Sequence, residues 1–287
     1  MNSVIDLHTH SNCSDGSMSP AELVRHASER GISAIALSDH DTIAGIDEAL
    51  KAGELYGVEV VPAIEFSVQS DTETHILGFY IDHKSPLIQD ALEKINSVRA
   101  QRTLNTCRKL QELGFDVSME EALAIAPSGI IGRAHFARIL AEKGYTQSVK
   151  EGFEKYLANG RPAYDGTQYL TAEDAVKLID DLGGVSFVAH PHLIRLSDEE
   201  LRNFLLRLKD CGLCGIEGYY NEYTPEMQEY FHSLANEMGL EISGGTDFHA
   251  KMKPHIEIGI GQGNMSIPYS VLENIKRIVA EKKNKEQ

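Results

Sequence analysis

The sequence predicts an α/β protein, a seven-stranded (β/α)7 TIM-like barrel that carries a helical insertion domain. Two observations support this prediction. Short apolar runs alternate with amphipathic helical patterns over most of the chain, and the alternation stops between about residues 84 and 169. Alternating strands and helices are typical of parallel α/β barrels, whose functional residues lie at the carboxyl ends of the strands.

Each predicted strand is a short apolar run, and most are followed by a helical pattern. In the first such helix Ser19 is a suitable N-cap, Pro20 fits the first turn and Gly31 ends the helix. Similar helical patterns occupy 172–184 and 224–239. The predicted strands are 4–10, 34–40, 58–68, 74–81, 185–191, 214–220 and 240–249.

The stretch from 84 to 169 contains one helical pattern after another and no strand signal. It is too long for a single barrel crossover, so it is interpreted as an inserted helical domain. The predicted organisation is therefore a first barrel part at 1–83, the insertion at 84–169 and a second barrel part at 170–287.

Composition restricts the classes of function. The 287 residues include 27 Lys and Arg against 43 Asp and Glu, which gives a formal charge of −16. This charge disfavours a protein that coats DNA or RNA without sequence preference, but it permits a small anionic substrate held by metal. The apolar runs are far shorter than a membrane helix, and the N-terminus lacks the pattern of a secretory signal. The four cysteines do not suggest a disulfide framework. We expect a cytoplasmic protein without membrane or protein partners.

The segment DLHTHSNCSD contains two histidines that lie two residues apart in the first predicted strand. His8 and His10 project to the same side of the first strand, and such a pair alone is more often a hydrogen-bonded polar pair than a ligand set. Other ligand-type residues fall at the ends of further predicted strands, which makes a multinuclear metal site the better interpretation. These residues are Asp15, Asp39, His40, Asp41, Glu65, His75, His190, Asp247 and His249.

The motifs HTHSNCSDGS, SDHDT, THILG, AHP and GGTDFH follow one another in this order, with a glutamate at the end of the third strand. In this order they resemble the polymerase and histidinol phosphatase (PHP) superfamily of metal-dependent phosphoesterases, which implies a distorted barrel, the PHP fold. The segment GRAHFARIL, followed by GRPAY, is similar to the insertion of a bacterial subgroup that includes 3′,5′-nucleoside bisphosphate phosphatases and a 5′-3′ exoribonuclease.

The resemblance implies three metal positions. Many members of the superfamily have a histidine where this chain has Asp15, so a resting state with two metals, joined by a third with the substrate, is an open alternative. Mn²⁺, Fe²⁺ and Zn²⁺ all suit mixed imidazole and carboxylate ligands. The implied sets are His8, His10, Glu65 and Asp247 for the first metal, Glu65, His75 and His190 for the second, and Asp15, His40 and His249 for the third.

The implied reaction is hydrolysis of a phosphate monoester of a small nucleotide, such as a 3′,5′-nucleoside bisphosphate. Two cations about 3.5 to 4 Å apart would activate a shared water as hydroxide, and a third would neutralise charge on the phosphoryl oxygens or the leaving group. Asp247 is also a candidate acceptor for the proton of the water, a role that it would share with metal ligation.

Residues outside the barrel motifs are candidates for substrate recognition. Arg133 and Arg161 of the insertion and Arg195 after the fifth strand are predicted to bind phosphate, and His135 is a candidate general acid or hydrogen-bond donor. The alternatives are a solvent-exposed arginine at a helix start for Arg133, a loop salt bridge for Arg161 and a structural histidine for His135.

Other functions and roles remain open from the sequence. A 5′-3′ exonuclease on short RNA or DNA would use the same metals, and a non-catalytic module would bind a phosphorylated ligand without turnover. Asp39 and Asp41 are interpreted as carboxylates that orient His40. Tyr219 and Tyr220 either stack on a base or pack in the core.

Overall fold

The computed structural model describes residues 3–70, 72–126, 131–166 and 170–285. The chain forms two compact units, one of Met1–Asp90 with Leu170–Gln287 and the other of Ala91–Tyr169. The insertion predicted at 84–169 overlaps the second unit, and its residues 127–130 and 167–169 lie outside the described part. The exact borders of the three predicted segments stay a prediction.

Within the described residues, the first unit contains a sheet of eight strands that is nearly closed into a barrel. The order of the strands across the sheet is the seventh to the first in sequence, followed by the eighth. The strands are β1 (Val4–Thr9), β2 (Ile32–Leu37), β3 (Glu59–Ser67), β4 (His75–Phe79), β5 (Val185–Val188), β6 (Gly215–Tyr220), β7 (Glu241–Gly245) and β8 (Ile267–Pro268).

Helices connect most of these strands and form the second unit. The N-terminus of the first helix agrees with the sequence, because Ser19 forms a capping box with Glu22 and Pro20 begins the helix. The helices are α1 (Pro20–Glu29), α2 (Ile46–Tyr56), α3 (Pro86–Glu112), α4 (Met119–Ala124), α5 (Arg133–Glu142), α6 (Val149–Gly152), α7 (Ala172–Asp181), α8 (Asp198–Asp210), α9 (Pro225–Met238) and α10 (Ser270–Lys285).

The predicted α/β barrel is confirmed, with two corrections. The short strand β8 was not predicted, and it pairs antiparallel with β1. In addition, β4 runs antiparallel to both β3 and β5, whereas an all-parallel barrel was expected. The reason is the short connection between Ser67 and His75, since a parallel crossover needs a dozen or more residues.

The barrel closes where β1 meets β7. The backbone N–H of His10 donates to the carbonyl of Phe248 over 2.9 Å. Earlier in β1, the fully buried carboxylate of Asp6 accepts hydrogen bonds from the backbone N–H and the hydroxyl of Thr246, and from the N–H of Gly259. These bonds tie the first strand to the last part of the chain, and burial raises the pKa of Asp6 in spite of them.

Separate apolar cores stabilise the two units. In the first unit, side chains of β1 to β5 pack with α10, and a second cluster packs α1 and α2 against β2. The second unit has its own core, which includes Leu110, Phe136, Leu140 and Leu157. No helix in the described part of the chain is both long and apolar enough to cross a membrane.

Gly245 allows the close approach of β7 to β1, and its replacement provides a test of the closure. A methyl group there would lie 2.2 Å from Cβ and 2.3 Å from the backbone nitrogen of His8. We expect Gly245→Ala to lower the free energy of unfolding by about 3 kcal/mol, because the strands must separate to relieve this overlap.

Urea denaturation followed by circular dichroism measures this change. Gly132→Ala is the control, since the nearest atom to its added methyl group would lie 3.8 Å away. Equal stability of the two variants would show that β1 and β7 are less tightly joined than described.

Candidate metal centre

Ionisable side chains meet at one edge of the barrel. The carboxyl ends of the parallel strands lie at this edge, and the first residue of β4 joins them because β4 runs in the opposite direction. All nine residues that were predicted as metal ligands lie in this cluster, and each is within 3.8 Å of another member. They are His8, His10, Asp15, His40, Glu65, His75, His190, Asp247 and His249.

Glu65 lies at the centre of the cluster and is completely buried. Its Oε1 is 2.9 Å from Nδ1 of His75 and 3.1 Å from Nε2 of His190. The nitrogens around Oε2 are Nε2 of His8 at 3.2 Å, Nε2 of His10 at 3.2 Å and Nδ1 of His40 at 3.1 Å. The two oxygens therefore face two different groups of imidazoles, which is the arrangement of a bridging carboxylate.

Asp15 forms a second centre on the outer side. Its carboxylate lies 3.0 Å from Nε2 of His249 and 3.8 Å from Nε2 of His40, and its side chain is half exposed. Asp39 holds the loop that carries it, because the Asp39 carboxylate accepts hydrogen bonds from the hydroxyls of Ser11 and Ser14, each over 2.6 Å. Asp39 thus orders the loop after β1, a different role from the expected orientation of His40.

The donor atoms of the cluster fit divalent cations. Several of them are buried and have no hydrogen-bond partner, namely Nε2 of His8, both ring nitrogens of His10, Nδ1 of His40 and Oε2 of Glu65. Buried polar atoms without partners are costly, and a cation would satisfy them together. The residue groups whose donor atoms lie close enough to share an ion are His10, Asp15, His40 and His249; His8, His10 and Glu65; His40, Glu65 and His75; and Glu73, His75 and His190.

The charges within the cluster are strongly coupled. Burial opposes ionisation of Glu65, but the surrounding imidazoles outweigh burial and hold the pKa of Glu65 well below its usual range. Burial lowers the pKa of His40 to about 3. Burial also disfavours the charged form of His10, yet the neighbouring carboxylates of Asp247 and Glu65 prevail and raise the pKa of His10 to about 9. Without a cation, protons compensate the buried carboxylates.

Unusual backbone conformations accompany the strand ends. His190 has φ of 28° and Asp247 has φ of 54°, a region that residues with side chains rarely adopt. Such conformations persist only where the surrounding structure enforces them, and they are common at functional sites. At the loop after β1, Gly16 is required, because a Cβ there would lie 2.4 Å from the carbonyl oxygen of His10.

The two oxygens of Asp247 have different surroundings. Oδ1 faces Nε2 of His10 at 3.2 Å, while Oδ2 accepts a hydrogen bond from the Tyr220 hydroxyl over 3.0 Å and contacts Nζ of Lys253 at 2.5 Å. Although burial raises the pKa of Asp247, its contacts with His10, His8 and Lys253 hold the pKa well below the usual range. This arrangement suits a ligand that binds through one oxygen. The additional role of proton acceptor stays a prediction.

Four residues next to the cluster were not predicted in these positions. Lys253 and Tyr220 contact Asp247, the buried carboxylate of Glu217 lies 3.0 Å from Nδ1 of His8, and Glu73 lies beside His75. The sequence offered one weak signal, a glutamate within the otherwise apolar strand GIEGYY. Tyr219, by contrast, packs against the barrel core and against the ring of His232.

The predicted substrate-binding residues occupy varied positions. In the second unit, the Arg133 guanidinium donates to the carbonyl of Leu157 over 3.2 Å, and the ring of His135 accepts the N–H of Gly132. Arg161 of the same unit is exposed. Arg195, in the first unit, is exposed after the 3-10 turn Pro191–Ile194 and has φ of 56°. Their predicted contacts with a substrate stay predictions.

Comparisons with known proteins agree with this site. The family model described as PHP domain matches residues 6–245. The chain is 33% identical over 245 residues to a 5′-3′ exoribonuclease of Haemophilus influenzae, covering 85% of this chain and 89% of the relative. It is 32% identical over 257 residues to a 3′,5′-nucleoside bisphosphate phosphatase of Chromobacterium violaceum, covering 89% and 90%.

A solved structure with a similar fold also matches the chain. A candidate metal-dependent phosphoesterase of Bifidobacterium adolescentis superposes with a TM-score of 0.77 at 27% identity, covering 95% of both chains. The family match includes the strand ends that carry the cluster residues from His8 to His190. The chain therefore belongs to the PHP family of metal-dependent phosphoesterases.

Proposed function

We propose that this phosphoesterase removes a phosphate group from a small nucleotide, such as a 3′,5′-nucleoside bisphosphate, with two or three divalent cations of Mn²⁺, Fe²⁺ or Zn²⁺. The observation that carries the proposal is the geometry of Glu65, whose two oxygens face two separate groups of imidazole nitrogens at 2.9 to 3.2 Å. When bound, such cations supply Lewis acidity to water and to the phosphoryl oxygens.

The predicted ligand sets agree well with the contacts of the cluster. Glu65 would join the first set to the second, and Asp15 would complete the third with His40 and His249, whose nearest nitrogens lie 3.8 and 3.0 Å from the carboxylate. His10 is also close to Asp15, at 3.7 Å, so it faces two of the three sets. Glu73 is an additional candidate beside His75 and His190.

The protein's own residues would orient the reacting groups. Tyr220 and Lys253 hold one oxygen of Asp247 away from the imidazoles, which leaves the other oxygen directed at His8 and His10. Burial is the main cause of the raised pKa of Tyr220, so its hydroxyl stays a neutral donor. The low pKa values of Glu65 and Asp247 keep both carboxylates ionised at neutral pH.

Similarity to the phosphatase of Chromobacterium violaceum supports the bisphosphate as the substrate class. The formal charge of −16 would repel a long polyanion, which favours a small nucleotide. A second candidate function is stepwise 5′-3′ cleavage of short oligonucleotides, because the relative from Haemophilus influenzae is an exoribonuclease at similar identity. Arg133, Arg161 and Arg195 remain our proposed phosphate-binding residues, with His135 as a hydrogen-bond donor.

A substrate panel tests the proposed function. We expect rapid phosphate release from adenosine 3′,5′-bisphosphate with Mn²⁺, and slower release from AMP, from histidinol phosphate and from a 5′-phosphorylated RNA trinucleotide. Glu65→Gln should reduce kcat/KM at least about a thousandfold. The substitution removes a charge that two metal sets share, and the transition state would lose several kcal/mol of stabilisation. Phosphate release is measured colorimetrically and nucleotide products by chromatography.

Glu222→Gln is the matched control for this panel, since Glu222 also contacts a histidine, His192, but its side chain is 51% exposed and lies outside the cluster. Stepwise mononucleotides from the trinucleotide, with the bisphosphate left intact, would replace the phosphatase by the exonuclease. No turnover of any of these compounds would contradict both substrate classes.

The role of Arg161 predicts a selective change in substrate binding. If its guanidinium binds the second phosphate, Arg161→Ala should raise KM for the bisphosphate about tenfold or more and leave KM for AMP nearly unchanged, since a charged hydrogen bond contributes about 1.5 to 3 kcal/mol. Arg108→Ala is the control, because Arg108 is an exposed arginine of the same unit that pairs with Glu112. An equal change in KM for both substrates would rule out this role.

Metal binding should depend on pH. Before a cation binds, His10 carries a proton up to a pKa of about 9, and the imidazole must lose this proton to become a ligand. Raising the pH removes the competing proton, so the affinity for Mn²⁺ should increase about fiftyfold or more between pH 6.5 and pH 8.5. Competition with a chelator measures the affinity, and an affinity that stays constant over this range would contradict the assignment of His10 as a ligand.

A further inference from the structure

Glu217 is a buried carboxylate that the proposed metal sets leave unused. It lies in β6, its side chain is 0% exposed, and each of its oxygens contacts a different strand end. Oε1 is 3.0 Å from Nδ1 of His8, and Oε2 accepts the backbone N–H of His190 over 2.6 Å. The Tyr223 hydroxyl donates to the carbonyl of Glu217 and supports this part of the strand.

The contact with His8 determines which ring nitrogen is available to a cation. Nε2 of His8 faces Oε2 of Glu65 at 3.2 Å and Oδ1 of Asp247 at 3.6 Å, and it has no hydrogen-bond partner. An ionised carboxylate only accepts hydrogen bonds, so Glu217 favours the tautomer with the proton on Nδ1. The lone pair of Nε2 is then directed toward Glu65 and Asp247.

The contact with His190 acts on the backbone. His190 follows the end of β5 and has φ of 28° and ψ of 59°, which is an unfavourable conformation for a residue with a side chain. The hydrogen bond from its N–H to Glu217 stabilises this conformation. In this conformation Nε2 of His190 lies 3.1 Å from Oε1 of Glu65, on the side opposite to His8.

We propose that Glu217 is a positioning residue that fixes the ring tautomer of His8 and the backbone of His190 together, so that both imidazoles present Nε2 to the two oxygens of Glu65. The inference rests on the proposed metal site and deepens it. It does not depend on the nature of the phosphorylated substrate. Residues that hydrogen-bond to the other nitrogen of a ligating histidine typically change metal affinity about 10- to 100-fold when they are replaced.

Glutamine at position 217 distinguishes this role from simple packing. It has nearly the same shape as glutamate, but one of its two polar groups is a donor. If the NH₂ group faces His8, the ring must move its proton to Nε2 and the lone pair is lost from the cluster. If the NH₂ group faces His190, two N–H groups oppose each other and the strained backbone loses its support.

The experiment measures metal affinity and the tautomer of His8 in the full chain. Affinity for Zn²⁺ is determined by chelator competition for the unaltered protein, for Glu217→Gln and for the control Glu222→Gln. Glu222 lies 3.1 Å from a nitrogen of His192, so the control also alters a Glu–His pair, but one outside the cluster. Ring ¹⁵N shifts of the Zn²⁺-loaded protein report which nitrogen of His8 carries the proton, with His8→Gln used to assign the signal.

We expect a 10- to 100-fold weaker affinity for Glu217→Gln, no change for Glu222→Gln, and a proton on Nδ1 of His8 in the unaltered protein. Unchanged affinity in Glu217→Gln, or a proton on Nε2 of His8, would overturn the inference. The ¹⁵N measurement needs no variant at position 217, so a proton on Nε2 of His8 would overturn the inference even if Glu217→Gln does not fold. Failure of the proposed substrate class would appear separately, as Zn²⁺ or Mn²⁺ binding without phosphate release from the panel.

Discussion

The metal centre depends on the burial of one carboxylate, Glu65, among five imidazoles. A carboxylate without solvent is unfavourable by many kcal/mol unless cations or hydrogen-bond donors compensate it. In this protein the compensation comes from nitrogens that lie 2.9 to 3.2 Å away on both sides of the carboxylate. These nitrogens can hold protons, or they can share cations with Glu65. Protons and cations therefore compete for the same positions. The pKa values of His10 and His40 move in opposite directions because the carboxylates of Asp247 and Glu65 outweigh burial at His10, whereas burial prevails at His40.

The fold supplies this arrangement through the direction of its strands. The predicted ligands at the ends of β1, β3, β5 and β7 lie at one edge because these four strands all run in the same direction. His75 is the first residue of β4, so it reaches this edge only because β4 is antiparallel. The short connection that forces the hairpin between β3 and β4 is therefore also what brings His75 to Oε1 of Glu65.

Much of the site could be predicted from the sequence, because metal ligands require particular residue types at strand ends. The pair of His8 and His10 was not enough by itself, and the ligand-type residues at the ends of several further predicted strands led to the expectation of one cluster. The direction of β4 could not be deduced in the same way, since an apolar run has the same pattern in a parallel and an antiparallel strand. The role of Glu217 in β6 depends on its contact with His8 in β1. The two residues are 209 positions apart in the sequence, so no local sequence pattern indicates this contact.

The buried carboxylates illustrate why residue type alone does not define a role. Both oxygens of Glu65 face imidazoles, whereas Asp247 presents one oxygen to them and has the other held by Tyr220 and Lys253. Glu217 uses one oxygen for the far side of the His8 ring and the other for a backbone N–H. The partners of each oxygen therefore support three different proposed roles, a bridging ligand for Glu65, a ligand through one oxygen for Asp247 and a residue that positions the ligands for Glu217. These partners come from several strands, which meet because the barrel closes. The three roles therefore depend on the closure of the barrel.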